Sequence, residues 1–363
     1  MKTNMMLKAT TVFFVIMMTA ACNKPASSFS LLAADQQFTQ GAATIAVKVD
    51  ILWVVDNSGS MAPLQQSLAS NFNSFINGFV GKGYDFRMGV TTTDAYLSES
   101  NFLNNNTYSK FRDGNGTTHS GVYIIQPNTP NLTNTFITNI NQGDKGDGDE
   151  RAFSSMRDSL KDTFNVGFHR PGAFLAVIIL SDEDDFSDPT RPEGSWMMPG
   201  GVADHSYTNP TLDTVGSYLS FLDSFTGSTD PTNRKYSVSA ITVLDQACLN
   251  QHVAQSSVTI IGQRYIDMAN QTKGVVGSIC SSFSNSLLAI TGKILELSSQ
   301  FQLNRKPIVS TIAVSINGSN VPNSAVDGWT YDASSNSITF HGTAIPAQGA
   351  TINVYFEPAT VQT

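Results

Sequence analysis

The sequence predicts an α/β fold: a doubly wound, mostly parallel sheet followed by a small C-terminal all-β, sandwich-like unit. Three observations carry this expectation. Two runs, Val49 to Val55 (VDILWVV) and Ala173 to Leu180 (AFLAVIIL), are apolar almost without a break, as strands buried on both faces must be. Each is followed by a polar loop and a helical pattern, and this alternation recurs as far as Gln300. Beyond Asn304 helical spacing stops, and short alternating segments separated by turn residues take over.

The 363 residues leave room for two domains, and a chain 40% hydrophobic and only 14% charged has ample material for a core. Disorder and coiled coil are excluded on that composition. The 21 Lys and Arg against 29 Asp and Glu give a net charge of −8, and none of the basic residues form a run. Nucleic acid is therefore not an expected partner, and small cations are.

In chain order, Lys2 and Lys8 form a positive segment ahead of an apolar stretch, Thr11 to Met18, that ends in Thr19, Ala20, Ala21 and Cys22. This reads as a signal peptide, too short for the roughly 20 residues of a membrane-spanning helix. Small residues before Cys22 and a polar tether after it (NKPASS) resemble a bacterial lipobox, with Thr19 departing from the usual Leu. That resemblance implies a lipid on Cys22 and a membrane anchor; cleavage before Cys22 would remove Lys2 and Lys8 and leave a net charge of 19 − 29 = −10 on the mature chain. Cys248 and Cys280 remain, and in an exported chain the expectation is a disulfide, with two buried free thiols as the alternative.

Residues 22–48 are read as tether and lead-in strand or arm. Leu64, Leu68, Phe72, Phe75, Ile76 and Phe79 follow helical spacing after the first buried strand. Tyr84 to Thr93 alternates as a strand, Asp94 to Thr118 is an Asn-, Ser- and Gly-rich excursion, Gly121 to Ile125 a short strand, and Leu132 to Ile140 a helix. A Gly- and Asp-rich loop, Gly143 to Glu150, feeds a helix from about Arg151 to Phe164. Arg170-Pro171-Gly172 is the turn before the second buried strand, and Phe186 to Pro210 is a second excursion. Helices at Leu212 to Phe225, Tyr265 to Gln271 and Phe283 to Gln300 alternate with strands at Tyr236 to Leu244 and Val275 to Ile279. After Asn304, Ile308 to Ile316, Gly328 to Tyr331, Ser337 to Phe340 and Thr351 to Phe356 are strand candidates, and Asn317-Gly318 is a hairpin signal. The expected domains are thus 49–303 and 304–363.

Chemistry concentrates at two strand ends. Asp56, Ser58 and Ser60 follow the first buried strand and Asp182 follows the second, on the edge where open α/β sheets bind ligands. A carboxylate with hydroxyls suits a hard cation, Mg²⁺ first, then Mn²⁺ or Ca²⁺. The plain alternative for Asp56-x-Ser58-x-Ser60 is a helix N-cap. The histidines are scattered, with no zinc spacing, and no GxSxG, SxxK or HxxEH motif supports catalysis.

Asp50 to Met61 (DILWVVDNSGSM), Gly89 to Asp94 (GVTTTD), Gly143 to Glu150 and Phe168 to Asp185 together resemble the von Willebrand factor type A (vWA) domain with its metal-ion-dependent adhesion site. The likeness covers Val49 to Gln300 and is nearest to bacterial surface lipoproteins. It implies a Rossmann-like core, with Asp56, Ser58 and Ser60 as first-motif ligands and Asp182 as the later aspartate. Where the family places a Thr, Asp147 stands here, which would lower the metal's net charge and favour Ca²⁺; Thr93 is the alternative hydroxyl. The resemblance implies a surface-anchored adhesion protein whose cation captures a carboxylate on a protein or glycan partner. A structural subunit of an envelope complex and a metal-dependent hydrolase are the competing readings. Glu183, Asp184, Asp185 and Asp188 are read as solvated loop acids, Glu150 as a residue of its helix's first turn, and Trp53 and Phe174 as core. Trp196-Met197-Met198 is either a loop clip or a contact surface.

Overall fold

Val49 to Val55 has no polar face to offer water, so it can lie only inside a sheet covered on both sides. The computed structural model, which describes residues 38–44, 47–188, 197–198, 202–203, 211–253 and 260–359, places it there. The strands in chain order are β1 (Phe38–Thr44), β2 (Lys48–Val55), β3 (Asp85–Thr92), β4 (Gly114–Asn115), β5 (Thr118–His119), β6 (Phe174–Leu180), β7 (Met197–Met198), β8 (Val202–Ala203), β9 (Tyr236–Thr242) and β10 (Val276–Ser278). They continue with β11 (Phe301–Gln302), β12 (Ala313–Ile316), β13 (Ser319–Val321), β14 (Gly328–Asp332), β15 (Ser337–His341) and β16 (Thr351–Phe356). The helices are α1 (Ala62–Gly81), α2 (Leu132–Ile140), α3 (Ala152–Lys161), α4 (Val215–Thr226), α5 (Gln246–Val253), α6 (Gln263–Gln271) and α7 (Phe283–Ser298).

The central sheet is parallel in the order β10-β9-β6-β2-β3. Alternate residues of β2 separate two cores. Val49, Ile51, Trp53 and Val55 join α1, α2 and α7 on one face, while Leu52 and Val54 join α3, α4 and α6 on the other. Trp53 is fully buried and meets Phe75 and Phe136 edge-on at 5.1 and 5.4 Å, contacts that fix α1 and α2 against the sheet. Phe174 is also core. At the opposite sheet edge, Arg170 does more than turn the chain: its guanidinium meets buried Asp50 at 2.7 Å and Asp85 at 2.5 Å, tying the starts of β2 and β3 to the turn before β6.

Two small antiparallel sheets, β1-β16-β12-β13 and β11-β15-β14, accompany this core. Thr351 to Phe356 alternates as expected, burying Ile352, Val354 and Phe356 in the same apolar cluster as α1 and α7. Asn317 and Gly318 take φ of 49° and 82°, the paired positive values of a two-residue hairpin turn. The lead-in segment enters this sheet as β1, antiparallel to β16.

Three expectations need correction. Gly121 to Ile125 is no strand: only Ile125 bridges to Met88, because Gly121 sits at φ 73° and the Ser120 and Asn139 side chains occupy the backbone groups of Val122. The helix starting near Arg151 stops at Lys161, where Asp162 turns extended and its carboxylate takes the Phe164 N–H. The loop acids after β6 are buried, not solvated. Asp184 accepts the Arg264 N–H, Asp185 pairs with the Arg264 guanidinium at 3.0 Å and accepts the Phe153 N–H, and the Asp188 carbonyl accepts from Arg151. Cys248 and Cys280 form a disulfide, with Cα atoms 5.6 Å apart. Cys22 and Trp196 lie outside the described residues; the Met197-Met198 backbone pairs with Val202-Ala203.

Candidate cation site at the carboxyl ends of β2 and β6

The chain goes from β2 outward to β3, then returns past β2 to β6 on its other side. This reversal leaves a crevice between the carboxyl ends of β2 and β6, where open parallel sheets take ligands. Asp56 opens it. Its N–H bonds the Leu180 carbonyl at 2.9 Å, continuing the β2–β6 ladder one residue beyond the strand. Its carboxylate is fully buried: Oδ1 accepts the Ser58 N–H at 2.8 Å and Oδ2 the Ser181 hydroxyl at 2.8 Å. Gln65, on the first turns of α1, donates to the Asp56 and Gly143 carbonyls and accepts from the Gln142 and Gly143 N–H groups. One amide thereby holds the Asp56 loop against the Gly-rich loop.

Ser58 is buried, and its hydroxyl lies beside the Asp56 carboxyl but meets no partner at full hydrogen-bonding geometry. Ser60 is half-buried and lines a cavity of about 140 Å³ with Pro63, Leu64, Gln251, His252, Ile279 and Cys280. Asp182 is fully buried; Oδ2 meets His252 Nε2 at 2.7 Å and Oδ1 has no partner. An unsatisfied buried oxygen costs about 1–3 kcal/mol, and such groups in a folded protein call for an explanation, an ion among them.

Glu150 and Glu183 join this crevice. Glu150 is not in the first turn of α3 but two residues ahead of it, fully buried, and no donor meets either carboxylate oxygen at hydrogen-bonding geometry. Burial and then repulsion from Asp182 push Asp56 up to about 7. Burial, then Asp56 and Asp182, push Glu183 up to about 9, and burial, then Asp56 and Glu183, hold Glu150 well above the usual carboxylate range. The principal charged neighbours of each are carboxylates, the signature of a site that lacks positive charge.

The two candidates for the remaining ligand lie along the rim of β3. Thr93 is fully buried, its hydroxyl 3.4 Å from Asn57 Oδ1. Asp147 is half-buried; its N–H donates to Asp94 Oδ1 at 3.1 Å and its own Oδ1 accepts the Asp149 N–H. Asp147 thus repels the Asp94 and Asp149 carboxylates, whereas the groups acting on Asp56 are Asp182 and the serines. Among the described residues no three His, Cys, Asp or Glu side chains converge as a metal-holding set. A cation here must therefore draw on hydroxyls as well as carboxylates, and Ser58 Oγ and Asp182 Oδ1 fit a hard ion in donor chemistry.

Sequence reasoning set Glu150 aside and passed over Ser181 and His252. Ser181 was within reach, standing between the second buried strand and Asp182; His252 carried no signal, being 70 residues from its partner.

No protein-family model matches the chain, and no curated protein matches it by sequence. Among solved structures it is similar to the pilus adhesin SpaC from Lactobacillus rhamnosus GG in its open conformation, with a TM-score of 0.39, 11% identity, and coverage of 85% of this chain and 38% of that one. A second crystal form of that adhesin gives 0.37, 10%, 85% and 39%. Proximal thread matrix protein 1 from the mussel byssus gives 0.35, 11%, 72% and 50%. The chain spans well under half the length of the adhesin. By its own architecture the protein is a mixed α/β chain with a five-stranded parallel core and small antiparallel sheets. No helix among the described residues is long and apolar enough to cross a membrane.

Proposed function

We propose that the chain is a vWA-like, surface-tethered adhesion module whose crevice binds a divalent cation and, through it, a carboxylate on a protein or glycan partner. The observation that carries this reading is the pair of buried oxygens, Ser58 Oγ and Asp182 Oδ1, that meet no partner at full hydrogen-bonding geometry beside a cluster of carboxyls at the sheet's switch point. Ser58, Ser60 and Asp182 would hold the ion, with Thr93 or Asp147 completing the set. Asp56 fixes Ser58 through its N–H. A cation held partly by neutral hydroxyls keeps enough positive charge to attract an external carboxylate. Mg²⁺ suits the site first, and Ca²⁺ gains if Asp147 contributes. Lipid on Cys22 would anchor the module to the cell envelope.

The test is calorimetric titration of Mg²⁺, Mn²⁺ and Ca²⁺ into the purified protein and its Asp56→Ala variant. Saturable binding lost in the variant supports the reading. Absence of binding at millimolar ion sinks it and leaves a structural role for the same loops.

A further inference from the structure

We infer that His252 is a positioning residue for Asp182, and that the Cys248–Cys280 disulfide sets the cation affinity of the crevice by holding His252 in place; this rests on the cation reading above. His252 Nε2 lies 2.7 Å from Asp182 Oδ2, and the imidazole is 12% exposed against a fully buried carboxylate. With Oδ2 taken, Asp182 has one orientation, and its free Oδ1 is the oxygen left for a ligand. A neighbour that fixes a ligating carboxylate in this way typically governs affinity by about 10–100-fold.

Leu249 packs against the core and Asp245 caps the start of α5, but the covalent hold on the helix that carries His252 is the disulfide. Among Gln246 to His252 of α5, Cys248 alone is buried. A helix this short is not stable by itself and takes its position from whatever ties it down. Cys248 and His252 stand four residues apart, on one face of the helix, so the sulfur bridge to Cys280 and the contact to Asp182 act one turn from each other. Cys280 stands two residues beyond the end of β10, so the bridge references α5 to the same parallel sheet that carries Asp182. His252 and Cys280 also line the 140 Å³ cavity beside Ser60, which puts the clamp at the mouth of the crevice.

The experiment is Mn²⁺ titration by calorimetry into the full chain, its His252→Ala and His252→Gln variants, the Cys248→Ser/Cys280→Ser variant, and the triple variant with alanine at 252, each checked for a cooperative thermal melt. His252→Ala should weaken Mn²⁺ by about 10–100-fold. His252→Gln, which keeps an N–H donor, should recover most of that loss. The double serine variant should weaken binding to a similar degree, and combining it with His252→Ala should add less than about threefold, because both act through one contact. Affinity within about threefold of wild type in His252→Ala, no recovery in His252→Gln, or full additivity of the two changes each overturns the inference while the cation site stands. A wild-type chain that takes up no Mn²⁺ overturns both.

Discussion

Gly146 and Gly148 stand two residues apart in the same loop, yet alanine should have opposite consequences at the two positions. A Cβ on Gly146 would lie 2.4 Å from Asn57 Nδ2 and 2.5 Å from Asn57 Cγ, whereas one on Gly148 meets nothing within 4 Å. Neither glycine has the left-handed backbone that would itself resist alanine. Reaching ordinary contact at 3.4 Å requires a retreat of about 1 Å at Asn57. Asn57 cannot yield freely, because its Nδ2 donates to Asp94 Oδ2 at 2.8 Å, and the retreat would stretch that bond beyond range. If the loop lifts instead, it loses the bond from Gly146 N to the Asn57 carbonyl, also 2.8 Å. Either route forfeits a hydrogen bond worth about 1 kcal/mol and leaves residual overpacking, for a total of about 1–3 kcal/mol. Gly148→Ala should be neutral or gain up to about 1 kcal/mol by restricting the unfolded chain. Urea denaturation followed by circular dichroism measures both. Since the displaced loop carries Asp147 and leads into Glu150, cation affinity in Gly146→Ala should also fall, by about 5- to 30-fold for a loss of 1–2 kcal/mol. Identical behaviour of the two variants in both assays would refute the account of how this loop is seated.

Burial raises Asp158 to about 7, despite its bond from Arg157. The native state thus retains a proton that the unfolded chain releases near 4, so this group's contribution is complete at low pH and lost as pH rises toward 7. Asp158→Asn should remove that component, gaining on wild type between pH 4.5 and 7.5 in urea midpoints; parallel pH profiles would refute it. Trp53 buries an indole N–H without a partner, so Trp53→Phe trades a small cavity against relief of that group and should stay within about 1 kcal/mol of wild type, where Trp53→Ala costs about 3–5. A Phe variant as damaged as the Ala variant in chemical denaturation would contradict this. Removing the disulfide, which spans 32 residues, should cost about 3–4 kcal/mol from the loop it closes, read as a lower melting temperature of Cys248→Ser/Cys280→Ser.

What was legible in the sequence was local. VDILWVV and AFLAVIIL announce their burial residue by residue, and the acids that follow inherit their position from the strand ends, so Asp56, Ser58 and Asp182 could be named. The unread parts depend on distant partners. Glu183 to Asp188 look like a solvated loop until Arg151 and Arg264 are brought beside them, and burial of paired charges has no local pattern. Glu150 carries the composition of a helix start, but the turn of chain before α3 points it into the crevice. Helix α5 has weak apolar spacing because only Cys248 and Leu249 reach the core, and a covalent bridge supplements that small packed face. The pairing of β1 with β16 joins segments more than 300 residues apart, which no periodicity records.

The route of the backbone from β1 to the crevice has a mechanical consequence. Between Phe38 and Asp56 the chain runs through β1 and β2, and among the described residues no other element lies in series between them. On the proposed tethered reading, with a partner held at the crevice, tension applied upstream of Phe38 would travel along that line. β2 meets it well, since β3 and β6 bond its flanks along most of its length and must be sheared together. β1 is the weaker link: it pairs with β16 alone, and its register slips between Gln40 and Ala43. Under rising tension β1 therefore parts from β16 first, and Asp56 keeps its geometry on a strand that has not yet moved.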